Sequence, residues 1–117
     1  MVTDYFNLGG YSRPVSTRSE QAQMWFDRGL TWAYAFNHEA AVACFEKSAA
    51  ADSSCAMAHW GVAYSIGPYY NKQWWKFDPA DLERTLAAAF DASRRAYALR
   101  DSVSAVEQLL IDAICAR

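Results

Sequence analysis

Apolar residues recur at helical spacing along five stretches of the chain, and turn-forming or capping residues separate these stretches. The predicted helices cover residues 18–36, 38–51, 55–66, 79–99 and 104 to about 117. The pattern therefore predicts an all-α fold of about five helices, in which antiparallel hairpins stack as a short solenoid.

The first predicted helix is apolar on two sides, so we expect it to be covered by neighbours on both. Its two stripes contain Trp25, Gly29, Trp32 and Phe36, and Ala22, Phe26, Leu30 and Ala33. The fourth helix has a single stripe that we expect to face the core, made of Leu82, Leu86, Ala89, Phe90, Ser93 and Tyr97.

Side chains that can bond free backbone amides mark the starts of all five helices. The predicted caps are a Thr17–Glu20 capping box, Asn37, residues 52–54 before the third helix, Asp78 followed by Pro79 at the first helical position, and a Ser104–Glu107 capping box.

The first helix pair carries a repeat signature. Its residues match the tetratricopeptide pattern W-x2-L-G-x2-Y, A-x3-F and a terminal Pro at most positions. The matching positions are Trp25, Gly29, Ala41 and Phe45, with Trp32 in place of Tyr, whereas Arg28 and Ser53 depart from the pattern. The repeat period of about 34 residues carries Gly29 to Ala63. Helices approach closely only where no large side chain intervenes, so we expect Gly29 and Ala63 at helix crossings.

On these residues the chain resembles the tetratricopeptide repeat family. Residues 34–39, 55–61, 67–74 and 104–111 are similar to successive blocks of longer microbial and fungal members, most of which have no assigned reaction. The resemblance covers about residues 22–117. It implies a solenoid of stacked helix hairpins and says little about activity.

The predicted organisation is one helical domain over residues 17–117, preceded by an extended lead over residues 1–16. An aromatic insert over residues 67–78 separates the third helix from the fourth, where a regular repeat would continue within a few residues.

Composition excludes some partners. The formal net charge of −2 provides no basic stripe for a phosphate backbone, so nucleic acid is not an expected partner. No apolar run reaches the roughly 18 residues of a membrane span, and residues 1–10 do not resemble a secretion signal. We therefore expect a cytoplasmic protein without a membrane partner.

The cysteines and histidines offer little chemistry. Cys44, Cys55 and Cys115 contain no C-x2-C pair, which fits reduced thiols. His38, Cys55 and His59 suggest a metal site, but His38 belongs to another helix, so we predict neither a metal nor a cofactor. A position near a helix N-terminus would lower the pKa of Cys55 and favour its thiolate.

The insert is the main candidate binding site. Aromatic side chains supply rigid contact area, and an amide and an ammonium orient a polar ligand. The predicted binding residues are Tyr64, Tyr70, Asn71, Lys72 and Trp74. The alternative is that the aromatic residues fill the gap before the fourth helix.

Two functions remain open. The favoured hypothesis is a non-catalytic scaffold that binds a protein or peptide along the concave surface built by the first helix of each hairpin. The other is a small-molecule binding protein or enzyme whose pocket lies between the third helix and the insert, although no paired general acid and base can be named.

The fifth helix is more apolar than one neighbouring helix can cover. Its apolar residues are Val106, Leu109, Leu110, Ile111, Ala113 and Ile114. Covering two or three such side chains contributes several kcal/mol at about 25 cal/mol per Å². We therefore predict a homodimer formed through this helix.

Overall fold

The computed structural model describes residues 8–66 and 74–117. Within these ranges the chain forms α1 (Glu20–Tyr34), α2 (His38–Ala51), α3 (Ala56–Ile66), α4 (Pro79–Ala98) and α5 (Ala105–Ala116). Short 3-10 turns at Trp74–Lys76 and Arg100–Ser102 precede α4 and α5. No strand occurs in the ranges described, so the predicted all-α class with five helices is confirmed.

Helix α3 lies at the centre of the structure and contacts each of the other four helices. The connections from α1 to α2 and from α2 to α3 are only a few residues long, which makes successive helices antiparallel. On its other sides α3 contacts α4 and α5, and α4 also contacts α5. The result is a compact helical unit in which α1 and α5 both border α3.

Local capping explains most of the helix starts. Asn37 accepts a hydrogen bond from the Ala40 amide at 3.1 Å, and Asp78 accepts one from the Asp81 amide at 2.8 Å. Ser104 accepts from the amide of Glu107, as expected for the first half of a capping box. These three predicted caps are confirmed.

The predicted start of the first helix is wrong by two residues. Ser19 is the cap of α1 and accepts from the Ala22 amide at 3.0 Å. The hydroxyl of Thr17 instead donates to Asp52 and accepts from the Ser19 amide. Sequence spacing did not separate two nearby hydroxyls, because a tertiary contact decides which of them caps the helix.

The core is organised around Phe45, which is fully buried. Gly29 of α1 and Gly61 of α3 lie on this ring, and a Cβ built on either residue would come within 2.4–2.8 Å of ring atoms. The expected close approach at Gly29 is therefore present. A second close approach to the ring, which the repeat period did not predict, occurs at Gly61. Ala63 is buried on α3, and its place at a helix crossing stays a prediction.

The predicted core face of α4 is wrong. Its buried residues are Thr85, Ala92, Ser93 and Ala96, of which only Ser93 belonged to the predicted stripe. Leu86, Phe90 and Tyr97 are exposed. Helix α4 approaches α3 through small side chains, which permit a short interaxial distance, and its large apolar side chains remain on the outside.

Candidate functional site

An irregular segment of polypeptide lies along α1 and is held by polar side chains. Asp27 accepts the Ser12 hydroxyl at 2.8 Å and the Arg13 amide at 3.0 Å. Gln23 accepts the Val15 amide at 3.0 Å, and its own side-chain amide donates to the Arg13 carbonyl at 2.8 Å. These contacts bind main-chain groups of the lead, which therefore follows the helix as a bound peptide would.

Helix α5 holds the end of the same segment through Glu107. The Ser16 amide lies 3.1 Å from both carboxylate oxygens of Glu107, and the Ser16 hydroxyl donates to one of them at 3.0 Å. Glu107 is only 6% exposed. Because a buried carboxylate is costly unless it accepts hydrogen bonds, Ser16 stabilises a charge that α5 places inside the protein. The lead thus connects α1 to α5 across 91 residues of sequence.

The next hydroxyl, that of Thr17, donates to Asp52 at 2.6 Å. Asp52 follows α2 and also accepts the amide and hydroxyl of Ser54 through its other oxygen. Hydrogen bonds from Ser54 and then Thr17 hold the pKa of Asp52 below its ordinary value of 3.8. We call Gln23, Asp27, Asp52 and Glu107 the acceptor set.

Aromatic side chains lie near this segment and on α3. The rings of Tyr11 and Tyr34 meet edge to face with centroids 5.9 Å apart. Trp60 and Tyr64 stack at 5.0 Å, and the Trp60 indole donates to the Leu110 carbonyl of α5 at 3.1 Å. Tyr34 and Tyr64 both remain exposed. Helices α1, α3 and α5, each the first helix of a predicted hairpin, therefore carry the lead, exposed tyrosines and a stacked aromatic pair.

The predicted insert site is only partly described. Tyr70, Asn71 and Lys72 lie outside the described residues, and Trp74 belongs to a 3-10 turn without a described side chain. Tyr64 is placed, and it stacks on Trp60. Whether the insert residues form a binding site stays a prediction.

A small cavity lies beside α3, on a different side from the Trp60–Tyr64 stack. Its volume is about 130 Å³, and its lining consists of His38, Glu39, Val42, Ser65, Ile66, Phe77 and Thr85. The Ser65 hydroxyl is buried, with the residue only 1% exposed, and has no hydrogen-bond partner among the residues that the structure describes. The lining thus combines apolar side chains with polar ones, including the Ser65 hydroxyl, which is a feature of small-ligand sites.

Cys44 and Cys55 are buried free cysteines. Burial is the main cause that raises the pKa of Cys55, and it also raises the pKa of Cys44. The expectation of a lowered Cys55 pKa is therefore wrong, because desolvation outweighs the helix N-terminus. The ring of His59 contacts the Ser53 carbonyl at 2.9 Å. In the part of the chain that the structure describes, no group of three or more His, Cys, Asp and Glu side chains is placed to hold a metal ion.

Exposed apolar side chains remain on α5, as predicted. Leu109 is 68% exposed and Val106 is also exposed, whereas Ile111 is fully buried. The predicted homodimer would bury the outer face through Leu109 and not through Ile111. The homodimer itself stays a prediction.

The sequence did not identify the acceptor set. Asp27 and Asp52 were not among the predicted binding residues, and Glu107 was expected only as a capping-box partner. One signal was present: Glu107 precedes the apolar Ile111 by four residues, so both lie on the buried face of α5. A carboxylate in an inward stripe needs a donor, which here comes from the lead.

Comparison of the chain with protein-family models, with curated proteins and with solved structures gives no match. Membership of the tetratricopeptide family therefore stays a prediction. No helix in residues 8–66 and 74–117 is long and apolar enough to cross a lipid bilayer.

Proposed function

We propose that this chain is a non-catalytic, tetratricopeptide-like scaffold that binds a partner protein along the surface of its first helices, α1, α3 and α5. One observation carries the proposal: residues 12–16 already lie on this surface as a bound stretch of polypeptide. Such a surface can hold an equivalent stretch supplied by another molecule.

The contacts to the lead are of the kind that recognise polypeptide in general. Gln23 pairs with both an amide and a carbonyl of the lead, and carboxylates accept the amides of Arg13 and Ser16. Main-chain hydrogen bonds supply affinity for an extended segment, while side chains supply specificity. Every residue except proline offers the same amide donor, so the surface suits peptide rather than a small metabolite.

The surrounding side chains support the same proposal. Exposed Tyr34 and Tyr64 border the surface, and tyrosine and tryptophan are enriched in protein interfaces. Stacking on Trp60 fixes the ring of Tyr64, which lowers the entropy lost when a partner docks on it.

Binding of a separate peptide tests the proposal. The protein used is a variant whose own lead has lost two of its main-chain hydrogen bonds. Val15→Pro and Ser16→Pro remove the amides that donate to Gln23 and Glu107. The probe is a fluorescein-labelled synthetic peptide with the sequence of residues 10–18. We expect its anisotropy to show saturable binding to the double-proline chain. Binding to the unchanged chain should be at least about tenfold weaker, because the tethered lead competes at an effective concentration on the order of millimolar.

The control variant is Glu83→Ala, an exposed change on α4 that should leave peptide binding unchanged. Circular dichroism establishes that each variant is folded, and Val15→Pro alone replaces the double variant if that one does not fold. A folded variant without saturable binding of the peptide would reject the proposed function.

A second candidate, a small-molecule binding protein, is favoured by the cavity at Ser65. Ser65→Ala should remove the hydroxyl with only a small change in volume. If the cavity is only a packing defect, this variant should melt higher, since an unpaired buried hydroxyl costs about 1–3 kcal/mol. If it is a ligand site, unchanged protein should gain thermal stability from a panel of small polar compounds, and Ser65→Ala should lose that gain.

We also propose that the protein acts in the cytoplasm, without nucleic acid or membrane as partner. The acidic net charge and the lack of a basic stripe in the sequence support the part of this proposal that concerns nucleic acid.

A further inference from the structure

Three hydroxyl groups of the lead region each donate to a different carboxylate. Ser12 pairs with Asp27 at 2.8 Å, Ser16 with Glu107 at 3.0 Å and Thr17 with Asp52 at 2.6 Å. The hydroxyl residues stand at positions i, i+4 and i+5. Three carboxylates, from α1, α5 and the end of α2, therefore accept hydrogen bonds from three positions of one segment.

A carboxylate only accepts hydrogen bonds, so each position requires a donor. Glu107 receives the Ser16 hydroxyl and the Ser16 amide together, and Asp27 receives the Ser12 hydroxyl and the adjacent Arg13 amide. Both donors fit against one carboxylate because a serine hydroxyl lies only one carbon from Cα. A longer donor such as lysine would displace the main-chain amide from the same oxygens.

A negative group at these positions meets a carboxylate at hydrogen-bonding distance. Glu107 is 94% buried and therefore has little water to screen such a charge. A phosphorylated hydroxyl carries a charge of about −1.5 to −2 and no longer offers the donor. Repulsion and the lost hydrogen bond both oppose binding.

We propose that the acceptor set selects an extended segment with unphosphorylated Ser or Thr at positions i, i+4 and i+5, and that the lead is an internal competitor for such a partner. This inference rests on the proposed function, because it specifies the peptide that the same surface binds. A partner segment with three matching hydroxyls displaces the lead, and a phosphorylated one does not.

The test compares four labelled peptides of residues 10–18 on the double-proline chain, which for this test also carries Ser12→Ala and Thr17→Ala so that its own hydroxyls do not occupy Asp27 and Asp52. Removing all three hydroxyls with Ser12→Ala, Ser16→Ala and Thr17→Ala should weaken binding at least about tenfold. Phosphoserine at position 16 should weaken it about a hundredfold or more. The control peptide Arg18→Gln changes an exposed residue and should bind within about twofold of the parent.

A double-mutant cycle identifies the responsible carboxylate. Glu107→Gln keeps an accepting oxygen but removes the charge, so it should reduce the penalty of phosphoserine at position 16 by at least about tenfold. The control Asp91→Asn, on the outer face of α4, should leave that penalty unchanged.

The outcomes separate the two proposals. If the parent peptide binds but hydroxyl removal and phosphorylation each change affinity by less than about twofold, the inferred selectivity is wrong and the scaffold proposal stands. The selectivity is equally wrong if Glu107→Gln leaves the phosphoserine penalty intact. If no peptide binds the folded double-proline chain, the scaffold proposal fails first.

Discussion

Replacing Gly61 with alanine should lower the free energy of unfolding by about 1–3 kcal/mol or more. The added Cβ would lie 2.4 Å from Cδ1 and 2.5 Å from Cγ of Phe45, distances that real Cβ atoms do not show. Phe45 is fully buried, and its Cγ is bonded to Cβ at the base of the ring, where rotation of the ring moves atoms least. The contact therefore cannot be relieved without moving α2. The strain must therefore spread to the contact between α2 and α3.

Gly29→Ala should be destabilising too, but by less than Gly61→Ala. Its added Cβ would meet Cε1, Cδ1 and Cζ of Phe45 at 2.6–2.8 Å. These atoms lie nearer the far end of the ring, where a small tilt gives more displacement. The larger change Gly29→Leu should cost more than either alanine variant, because it adds three further carbon atoms to the same space.

Urea unfolding followed by circular dichroism measures these differences. Gly10→Ala is the matched control, because no atom of a described residue other than its chain neighbours lies within 4 Å of its added Cβ, and its φ is not positive. Phe45→Leu should recover part of the loss caused by Gly61→Ala, since the smaller side chain vacates the space that the methyl group needs. Additive losses in the double variant, or a neutral Gly61→Ala, would contradict the sandwich of Phe45 between two glycines.

The sequence predicted features that depend on nearby residues. Asn37, Asp78 and Ser104 cap helices because each side chain bonds an amide three residues later, a contact that the local sequence encodes. The close approach at Gly29 also follows from a local repeat signature. The presence of the helices and most of their boundaries could therefore be predicted from the sequence.

Features that depend on distant partners were not accessible. On α4, hydrophobicity alone favoured Phe90 and Tyr97 as core residues, yet Ala92 and Ala96 are buried because α3 also presents small side chains. The acceptor set was not predicted for the same reason, since Ser16 and Glu107 are 91 residues apart in the sequence. No local pattern indicates that a cap-like glutamate will instead bind the lead.

Ile111→Glu should unfold much of the protein, whereas Leu109→Glu, the same change in charge two residues earlier on α5, should not. Ile111 is 0% exposed and packs in the core with Ala96 and Leu110, but Leu109 points outward. An uncompensated buried charge costs about 3–5 kcal/mol, and the lost apolar burial adds to this. Total stabilities of about 5–15 kcal/mol leave little margin after such a loss.

Thermal melts and light scattering after gel filtration test both variants together. Leu109→Glu should stay within about 0.5 kcal/mol of the unchanged chain as a monomer, because surface substitutions away from special contacts cost little. If the predicted homodimer forms through α5, the unchanged chain should elute as a dimer and Leu109→Glu as a folded monomer, since the dimer would have to bury a carboxylate. An unchanged chain that stays monomeric at high concentration would reject the homodimer. Equal destabilisation by Leu109→Glu and Ile111→Glu would instead contradict the orientation of α5, because only one of these two side chains can face the core.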